Sequence, residues 1–341
     1  MEEEEPVDQQ ELFEHHRIMA DPGQSLLRID KFLSFRLENV SRTRISNAAI
    51  AGNILVNNSP VRPSYRVKPG DIIQVVLPNP PREIELIPED IPIDIIYEDD
   101  DVIVVNKAAG MVVHPAYGNY TGTLVNALMW HFRDLPLFKT GELRPGLVHR
   151  IDKNTSGILV VAKNELALNR LSRQFYDRTT GRKYIALVWG VPDPPEGTIT
   201  GNVGRNIRDR KIMQVFPDGS KGRHAVTHYR VIENFGYVSL VECRLETGRT
   251  HQIRVHFAYT KHPLFNDPEY GGDHILKGTT FSKYQQFVRN CFNILPRQAL
   301  HAKSLEFEHP VTGKRLLFDS DLPADMQEVI DKWRNYISDR S

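Results

Sequence analysis

The segment from Arg144 to Lys163 holds the densest set of residues that could do chemistry. It reads Arg-Pro-Gly-Leu-Val-His-Arg-Ile-Asp-Lys-Asn-Thr-Ser-Gly-Ile-Leu-Val-Val-Ala-Lys and places Asp152 between a strand-like entry and a polar turn. Hydroxyl and amide groups of Thr155, Ser156 and Gly157 could keep this carboxylate ionised, as a carboxylate nucleophile requires. The same residues are also a good turn sequence, in which Asp152 would only bond backbone amides. From the residues alone, the turn is the better interpretation.

Two other residues could contribute to such a site, and each also has an ordinary structural interpretation. Tyr184 lies in an alternating pattern that is typical of a strand, where a half-buried core tyrosine is expected. Arg249 begins Arg-Thr-His-Gln-Ile-Arg-Val-His256, which could be a basic helix with its arginines in solvent. Arg249 and Arg254 are five residues apart and do not share one helical stripe.

The histidines do not have the spacing of a metal site. His251 and His256 are five residues apart, whereas ligands on one helix face are four apart, and no nearby cysteine or paired carboxylate completes a zinc set. We therefore predict no metal, and expect histidines that make hydrogen bonds or face a ligand.

Composition indicates a soluble folded protein with an uneven charge distribution. The first residues, Met-Glu-Glu-Glu-Glu, have the wrong charge for a secretory signal, and apolar runs such as 158–162 are too short to cross a bilayer. Two cysteines cannot form a disulfide framework, so a reducing cytoplasm is expected. Residues 1–24 hold eight acidic residues and one basic, a net charge of −7, whereas residues 25–79 hold eight basic and three acidic, a net charge of +5. The second value suggests a polyanionic partner, or else an ordinary solvated surface.

The elements before residue 80 predict a small α+β module preceded by a tail. We expect residues 1–24 to be a largely disordered tail that folding does not need, with one short helix around Leu12 to Met19. Apolar spacing from Leu26 to Leu37 predicts a helix, and Ser41 is a plausible N-cap for a second helix over Thr43 to Ala51. Short strands should follow within 54–59 and 67–76.

Five prolines between Pro78 and Pro92 predict an extended linker over residues 80–92. Residues 93–341 should then form the larger domain. Its predicted strands cover 93–97, 102–105, 157–162, 183–189, 224–232 and 238–245, and its predicted helices cover 123–132, 165–177, 250–259 and 323–337. Strands follow one another without regular βαβ alternation, which indicates an α+β fold with a mainly antiparallel sheet.

The segment His149-Arg-Ile-Asp-Lys-Asn-Thr-Ser-Gly157 resembles the signature of RluA-type pseudouridine synthases, usually His-Arg-Leu-Asp-x-x-Thr-Ser-Gly. Further matches follow in the expected order over about residues 93–319. They are Asn106-Lys-Ala-Ala-Gly-Met-Val-Val-His-Pro115, Arg182-Lys-Tyr-Ile-Ala-Leu-Val-Trp-Gly190, Thr247-Gly-Arg-Thr-His-Gln-Ile-Arg-Val-His256 and Gln298-Ala-Leu-His-Ala302. The resemblance implies the α+β pseudouridine synthase fold and an isomerase that turns uridines of RNA into pseudouridine without a cofactor.

The same resemblance implies roles for four residues. Asp152 would be the catalytic carboxylate, acting by covalent attack or by abstracting a ribose proton. Tyr184 would pack on the target uracil, with its hydroxyl available for the proton lost from carbon 5. Arg249 would pair with Asp152, lowering its pKa and fixing its side chain. Arg150 would enter the RNA stack where the flipped uridine has left.

Residues 25–79 resemble the small RNA-binding module named after ribosomal protein S4, here called the S4-type module. The resemblance rests on Arg28-Ile-Asp-Lys-Phe-Leu33, Ser41-Arg-Thr-Arg44, Gly52-Asn-Ile-Leu-Val-Asn57 and Val67-Lys-Pro-Gly-Asp71. The predicted RNA contacts are Arg28, Lys31, Arg42, Arg44, Arg62, Arg66 and Lys68. With this module, the chain is similar in architecture to the RluD group, which implies large-subunit ribosomal RNA as substrate. A transfer RNA synthase and an inactive RNA-binding assembly factor are the alternatives.

Overall fold

The computed structural model describes residues 13–23, 25–37, 40–77, 86–115, 119–139, 144–207, 209 and 212–339. The chain divides into two compact units, Met1–Glu83 and Ile84–Ser341. Within the described ranges, no helix is both long enough and apolar enough to cross a membrane.

The first unit contains two helices and small sheets. Its elements are β1 (Phe13–Met19), β2 (Leu27–Arg28), α1 (Ile29–Arg36), α2 (Arg42–Ile50), β3 (Ile54–Val56), β4 (Ser59–Pro60), β5 (Arg66–Val67) and β6 (Ile72–Leu77). The apolar residues predicted to share a helix face pack in one core, which includes Ile29, Leu33 and Ile45. The hydroxyl of Ser41 accepts a hydrogen bond from the amide of Arg44 at 3.2 Å, which confirms the predicted N-cap.

The helix predicted around Leu12 to Met19 is wrong, because Phe13–Met19 form strand β1. This strand pairs antiparallel with β6, and Ala20 is buried in the core of the unit. The partner strand lies more than fifty residues further along the chain, so the local acidic sequence gave no sign of the pairing. We therefore withdraw the expectation that folding does not need this part of the tail. Residues 1–12 and 24 lie outside the described residues.

The second unit is built on one large sheet. Its strands are β7 (Ile95–Glu98), β8 (Val102–Lys107), β9 (Ser156–Ala162), β10 (Gly181–Trp189), β11 (Glu196–Arg205), β12 (Met213–Phe216), β13 (Arg223–Asn234), β14 (Val238–Leu245), β15 (Leu300–Glu308) and β16 (Arg315–Asp319). Their order is β12-β11-β13-β14-β10-β15-β9-β8-β7, with β16 also paired to β15. The pairs are antiparallel except β9 with β15, and the predicted α+β class with a mainly antiparallel sheet is confirmed.

Among the described residues of this unit, five helices cover the sheet: α3 (Leu124–His131), α4 (Glu165–Asp177), α5 (Gln252–Tyr259), α6 (Ser282–Ile294) and α7 (Ala324–Ser338). A 3-10 turn covers Pro136–Lys139. The predicted linker 80–92 falls partly on residues 80–85, which lie outside the described residues. Ile87 and Glu89 hydrogen-bond with Asn126 and Gly122 at the start of α3, and so belong to this unit.

Alternation along β10 sets which side chains reach the site. Tyr184 and Ala186 join the core on the face covered by α3 and α5. Ile185 and Leu187 join the opposite core, which α6 and α7 cover. Because successive strand side chains point to opposite faces, Tyr184 lies on the same face of the sheet as α5.

Candidate active site

A cleft of about 760 Å³ opens on the α5 face of the sheet. Asp152, Tyr184, Arg249 and Arg150, the four residues predicted for the site, all line it. The structure therefore brings together residues from the loop before β9, from β10 and from the segment leading into α5.

Asp152 lies in a turn, as the residues alone suggested, and its side chain nevertheless faces the cleft. The amide of Thr155 donates to the backbone carbonyl of Asp152 at 3.1 Å, which closes the turn. The carboxylate is mostly buried and accepts a hydrogen bond from Nη1 of Arg254 at 3.3 Å. The turn interpretation is thus correct for the backbone, while the side chain is part of a charged cluster.

Arg254 contacts Asp152, so the prediction that Arg249 would do so is wrong. Nε of Arg249 donates instead to the carbonyl of His224 at 3.2 Å. The reason is geometric: α5 begins at Gln252, so Arg249 belongs to the preceding turn, and Arg254 is the arginine that the buried helix turns inward. The side chain of Arg254 is only 4% exposed.

The hydroxyl donors predicted to hold the carboxylate are engaged elsewhere. Thr155 Oγ1 accepts from Gln298 at 3.3 Å, and Ser156 Oγ bonds Nδ1 of His301 at 2.9 Å. Gln298 lies just before β15, and His301 lies in that strand. These bonds attach the turn that carries Asp152 to the neighbouring strand.

Two buried cations hold the backbone on either side of this turn. Nζ of Lys107 donates to the carbonyls of Ala108, Met111 and Lys153 at 2.6, 2.8 and 3.1 Å. Burial lowers the pKa of Lys107 to about 7, although the charge of Asp152 acts in the opposite direction. Nη1 of Arg297 donates to the carbonyl of Asn154 at 3.1 Å, and its other nitrogens bind Asp325. Asp152 is therefore carried on a rigid support.

Tyr184 and Arg150 occupy different parts of the cleft. Tyr184 is 8% exposed at the floor, and burial raises the pKa of its phenol, so the hydroxyl keeps its proton at neutral pH. Nη1 of Arg150 lies 3.5 Å from Nε2 of His114. Burial lowers the pKa of His114 to about 4, so its ring is neutral and can accept this bond.

The segment Asp267 to Tyr270 is part of the site, although the sequence analysis did not single it out. Asp267 binds Nε and Nη2 of Arg254 at 2.7 and 2.8 Å, and Glu269 binds Nη2 at 2.5 Å. The ring of Tyr270 lies 5.0 Å from the guanidinium of Arg254. The available signal was the pair of acidic residues, Asp267 and Glu269, that follows α5 along the chain, because a buried arginine needs such partners.

Comparison with known proteins shows which family this chain belongs to. A family model described as RNA pseudouridylate synthase matches residues 101–259, and a model of the S4 domain matches residues 27–73. An uncharacterized RNA pseudouridine synthase of Chlorobaculum parvum is 48% identical, and the alignment covers 92% of this chain and 96% of that protein. The chain belongs to the RNA pseudouridine synthase family.

Other relatives of this pseudouridine synthase support the same family. The ribosomal large subunit pseudouridine synthase D of Zymomonas mobilis is 44% identical, and the alignment covers 88% of this chain and 92% of that protein. The solved structure of human RNA pseudouridylate synthase domain containing 1 superposes with a TM-score of 0.51 at 25% identity, covering 72% of this chain and 95% of that chain. The predicted family, fold class and S4-type module are confirmed.

The prediction that the synthase uses no metal stays a prediction. Within the described residues, Asp99, Asp101 and His309 form a cluster of ligand-type side chains. Nδ1 of His309 accepts from the amides of Val311 and Thr312, so Nε2 carries the proton and bonds Asp99 at 2.9 Å. Hydrogen bonding within the protein therefore accounts for this cluster.

Proposed function

We propose that this synthase isomerises uridines of large-subunit ribosomal RNA, with Asp152 as the catalytic carboxylate. The observation that carries the proposal is the position of Asp152 in the cleft, 3.3 Å from Arg254 and on the same face as Tyr184. A carboxylate that accepts a hydrogen bond from a buried arginine can attack the ribose or the base, or remove a ribose proton.

The reaction combines the breaking and making of bonds to the base with a proton transfer. The bond from the ribose to nitrogen 1 of uracil breaks, the base turns, and the ribose joins carbon 5. The hydrogen of carbon 5 leaves as a proton, and nitrogen 1 ends with one. Tyr184 supports the base and can exchange that proton, since a buried phenol has both an aromatic face and a polar tip.

The charge of the cleft favours RNA. Three acidic side chains line it, those of Asp152, Asp177 and Glu246, against a larger set of arginines. These arginines are Arg150, Arg178, Arg182, Arg223, Arg249 and Arg254. Their excess positive charge supports binding of a phosphate backbone around a flipped uridine, with Arg150 entering the gap in the stack.

The preference for large-subunit ribosomal RNA is supported by relatives and by the S4-type module. Relatives from Zymomonas mobilis and Neisseria meningitidis are named ribosomal large subunit pseudouridine synthase D. In the module, the buried carboxylate of Asp30 binds Arg28 and Arg42, whose side chains stay about half exposed. This pair can present two cations to phosphates, together with Lys31, Arg44, Arg62, Arg66 and Lys68. We further propose a cytoplasmic location, which two buried free cysteines support.

The test of catalysis compares Asp152→Asn with Asp177→Asn, another carboxylate lining the cleft. Pseudouridine is mapped chemically after incubation with large-subunit ribosomal RNA and with transfer RNA. Asp152→Asn should lose about 10³-fold or more in rate while RNA affinity stays within several-fold, because the amide keeps the shape but cannot act as nucleophile or base. Asp177→Asn should modify ribosomal RNA normally. Turnover by pure Asp152→Asn protein would exclude this residue, and product found only in transfer RNA would favour the alternative substrate.

The test of the S4-type module measures RNA affinity against salt concentration. A fragment beginning at Ile84 should keep its chemistry but bind large ribosomal RNA with a log-log salt slope that is shallower by about two to four, since each lost phosphate contact removes about 0.7–0.9. The double variant Arg44→Gln/Arg62→Gln should give a smaller change of the same sign, and Lys332→Gln on α7 is the control. An unchanged slope in the fragment would remove this module from RNA binding.

A further inference from the structure

His251 stands beside Asp152 in a backbone conformation that few residues adopt. It precedes α5 with φ 55° and ψ 21°, in the left-handed region that is unfavourable for a residue with a side chain. Its ring lines the cleft, and Nε2 lies 3.9 Å from Oδ1 of Asp152. This unfavourable backbone conformation of His251 places its imidazole next to Asp152, the proposed catalytic carboxylate.

Hydrogen bonds determine which ring nitrogen carries the proton. The amide of Met213 donates to the phenol oxygen of Tyr270 at 2.9 Å, and an amide can only donate. The phenol can then donate its O–H to Nδ1 of His251, 2.8 Å away, whereas Oε2 of Glu269 lies 3.8 Å from Nδ1, beyond hydrogen-bond distance. Nδ1 is therefore the acceptor, and Nε2–H faces the cleft.

The protonation states agree with this arrangement. Burial raises the pKa of Tyr270, so its hydroxyl keeps the proton. Burial also lowers the pKa of His251, and the charge of Arg254 acts in the same direction, whereas Asp152, Glu269 and Asp267 oppose it. The ring is therefore neutral at neutral pH, and its Nε2–H is a fixed donor.

This donor has room for a ligand atom. The separation of 3.9 Å from Asp152 is longer than a hydrogen bond, so a further acceptor can approach Nε2. Arg254, the other donor beside Asp152, is already engaged, because its nitrogens bind Asp267, Glu269 and Asp152. Nε2–H of His251 therefore remains available to an acceptor on the substrate.

We propose that His251 is a further catalytic residue, whose Nε2–H donates to a carbonyl oxygen of the uracil while the base is detached, and that Tyr270 is its positioning residue. This inference rests on the proposed role of Asp152. When the ribose bond to nitrogen 1 breaks, its electron pair stays on the base, and the negative charge spreads to the carbonyl oxygens. The hydrogen bond is strongest at that stage and weakens once carbon 5 has bonded to the ribose and nitrogen 1 is protonated.

The first experiment tests the tautomer without any RNA. The ring nitrogens of His251 are assigned by nitrogen NMR in the full-length protein, with His251→Asn identifying the signals. Nδ1 should be unprotonated and Nε2 protonated, and Tyr270→Phe should allow the other tautomer. A protonated Nδ1 in the wild-type protein would overturn the role of Tyr270.

The second experiment measures single-turnover rates at saturating RNA, together with RNA affinity. His251→Asn tolerates the left-handed backbone but is too short to reach the substrate, and should slow the reaction about 10²-fold with little change in affinity. His251→Gln should recover part of the rate, because its amide carries an N–H near the same position. His274→Ala, at an exposed histidine, is the control. A rate for His251→Asn equal to wild type, with Asp152→Asn inactive, would overturn this inference while leaving the proposed function standing.

A third measurement identifies the accepting oxygen. RNA carrying 2-thiouridine or 4-thiouridine at the target replaces one carbonyl oxygen by sulfur, a weaker acceptor. The thio substitution that removes the bond should slow the wild-type protein and have little further effect in His251→Asn, as in a double-mutant cycle. If both thio substrates slow the two proteins by the same factor, His251 does not bond the base.

Discussion

Arg254 is the residue on which the charge balance of the site depends. Its guanidinium contacts three carboxylates, those of Asp152, Asp267 and Glu269. These contacts raise the pKa of Arg254 above its already high ordinary value, despite burial. Without this cation, Asp267 would be a fully buried negative charge, and the carboxylate of Asp152 would lose its nearest cation.

At the residue scale, Arg254→Lys should be far more damaging than Arg249→Lys. An ammonium cannot satisfy three carboxylates with the geometry of a guanidinium, so we expect a loss of about 10²-fold in single-turnover rate and about 3 kcal/mol in unfolding free energy. Arg249→Lys keeps its charge at the cleft and should stay within about threefold in rate at saturating RNA. Urea unfolding and single-turnover assays check both values, and equal defects in the two variants would contradict the pairing seen here.

At the scale of elements, the parallel pairing of β9 with β15 fixes the turn that carries Asp152. Gly157 lies opposite Ala302 in this pair, with φ 117°. A Cβ at Gly157 would lie 2.3 Å from the carbonyl oxygen of Ala302, which no side-chain movement can relieve. The strands approach so closely because Gln298 and His301 must reach Thr155 and Ser156.

Gly157→Ala should therefore lower both the free energy of unfolding and the rate of the reaction. The strands must separate to admit the methyl group, which shifts the neighbouring Asp152 turn and lowers the rate at saturating RNA. Gly313→Ala is the matched control, since Gly313 also has a positive φ, 70°, but its nearest neighbour would lie 3.9 Å away. The control should lose about 1 kcal/mol from backbone strain alone. If the two variants have equal unfolding free energies, the close approach of β9 to β15 does not require glycine at position 157.

At the scale of the whole molecule, several buried histidines of the second unit make its stability depend on pH. Burial lowers the pKa of His149 to about 3, and those of His114, His256 and His301 to about 4. His301 is held between the hydroxyls of Ser156 and Ser320, and His149 accepts from the amide of Val160. Each histidine is therefore neutral in the folded protein over the physiological range.

The lowered pKa values of these histidines determine whether stability rises or falls as the pH is lowered. Below pH 6.5 the unfolded chain gains protons that the folded protein cannot accept until about pH 4, so stability falls over this window. Each histidine contributes at most about 3 kcal/mol to the loss. Urea unfolding of the full-length protein from pH 7.5 to 4.5 should show the decline, and His301→Gln should make it shallower. A flat profile would contradict neutral burial of these rings. The lowered pKa values of Glu98 and Asp99 act only at lower pH.

Local sequence patterns predicted most elements of the sheet and its helices. The apolar spacing along α1 and the alternation along β10 were sufficient to predict a helix and a strand. In both elements the pattern is set by residues close in sequence. Strand β1 could not be predicted, because its partner β6 is remote in sequence. Helix α6 was also missed, although Tyr284, Val288 and Cys291 recur at helical spacing and are buried against α7.

The residues of the site also divide into those that the sequence predicted and those that only the structure revealed. The sequence by itself determined the family, the catalytic carboxylate proposed at Asp152 and the strand position of Tyr184, because these depend on a contiguous motif and on a period of two. Only the tertiary structure decided that Arg254 and not Arg249 contacts Asp152. It also decided that Asp267 and Glu269 hold Arg254, and that Tyr270 holds His251, beside Asp152. The contact between Arg254 and Asp152 joins segments about a hundred residues apart. The residue at which the buried helix α5 begins, which no spacing rule supplies, sets which side chains turn inward.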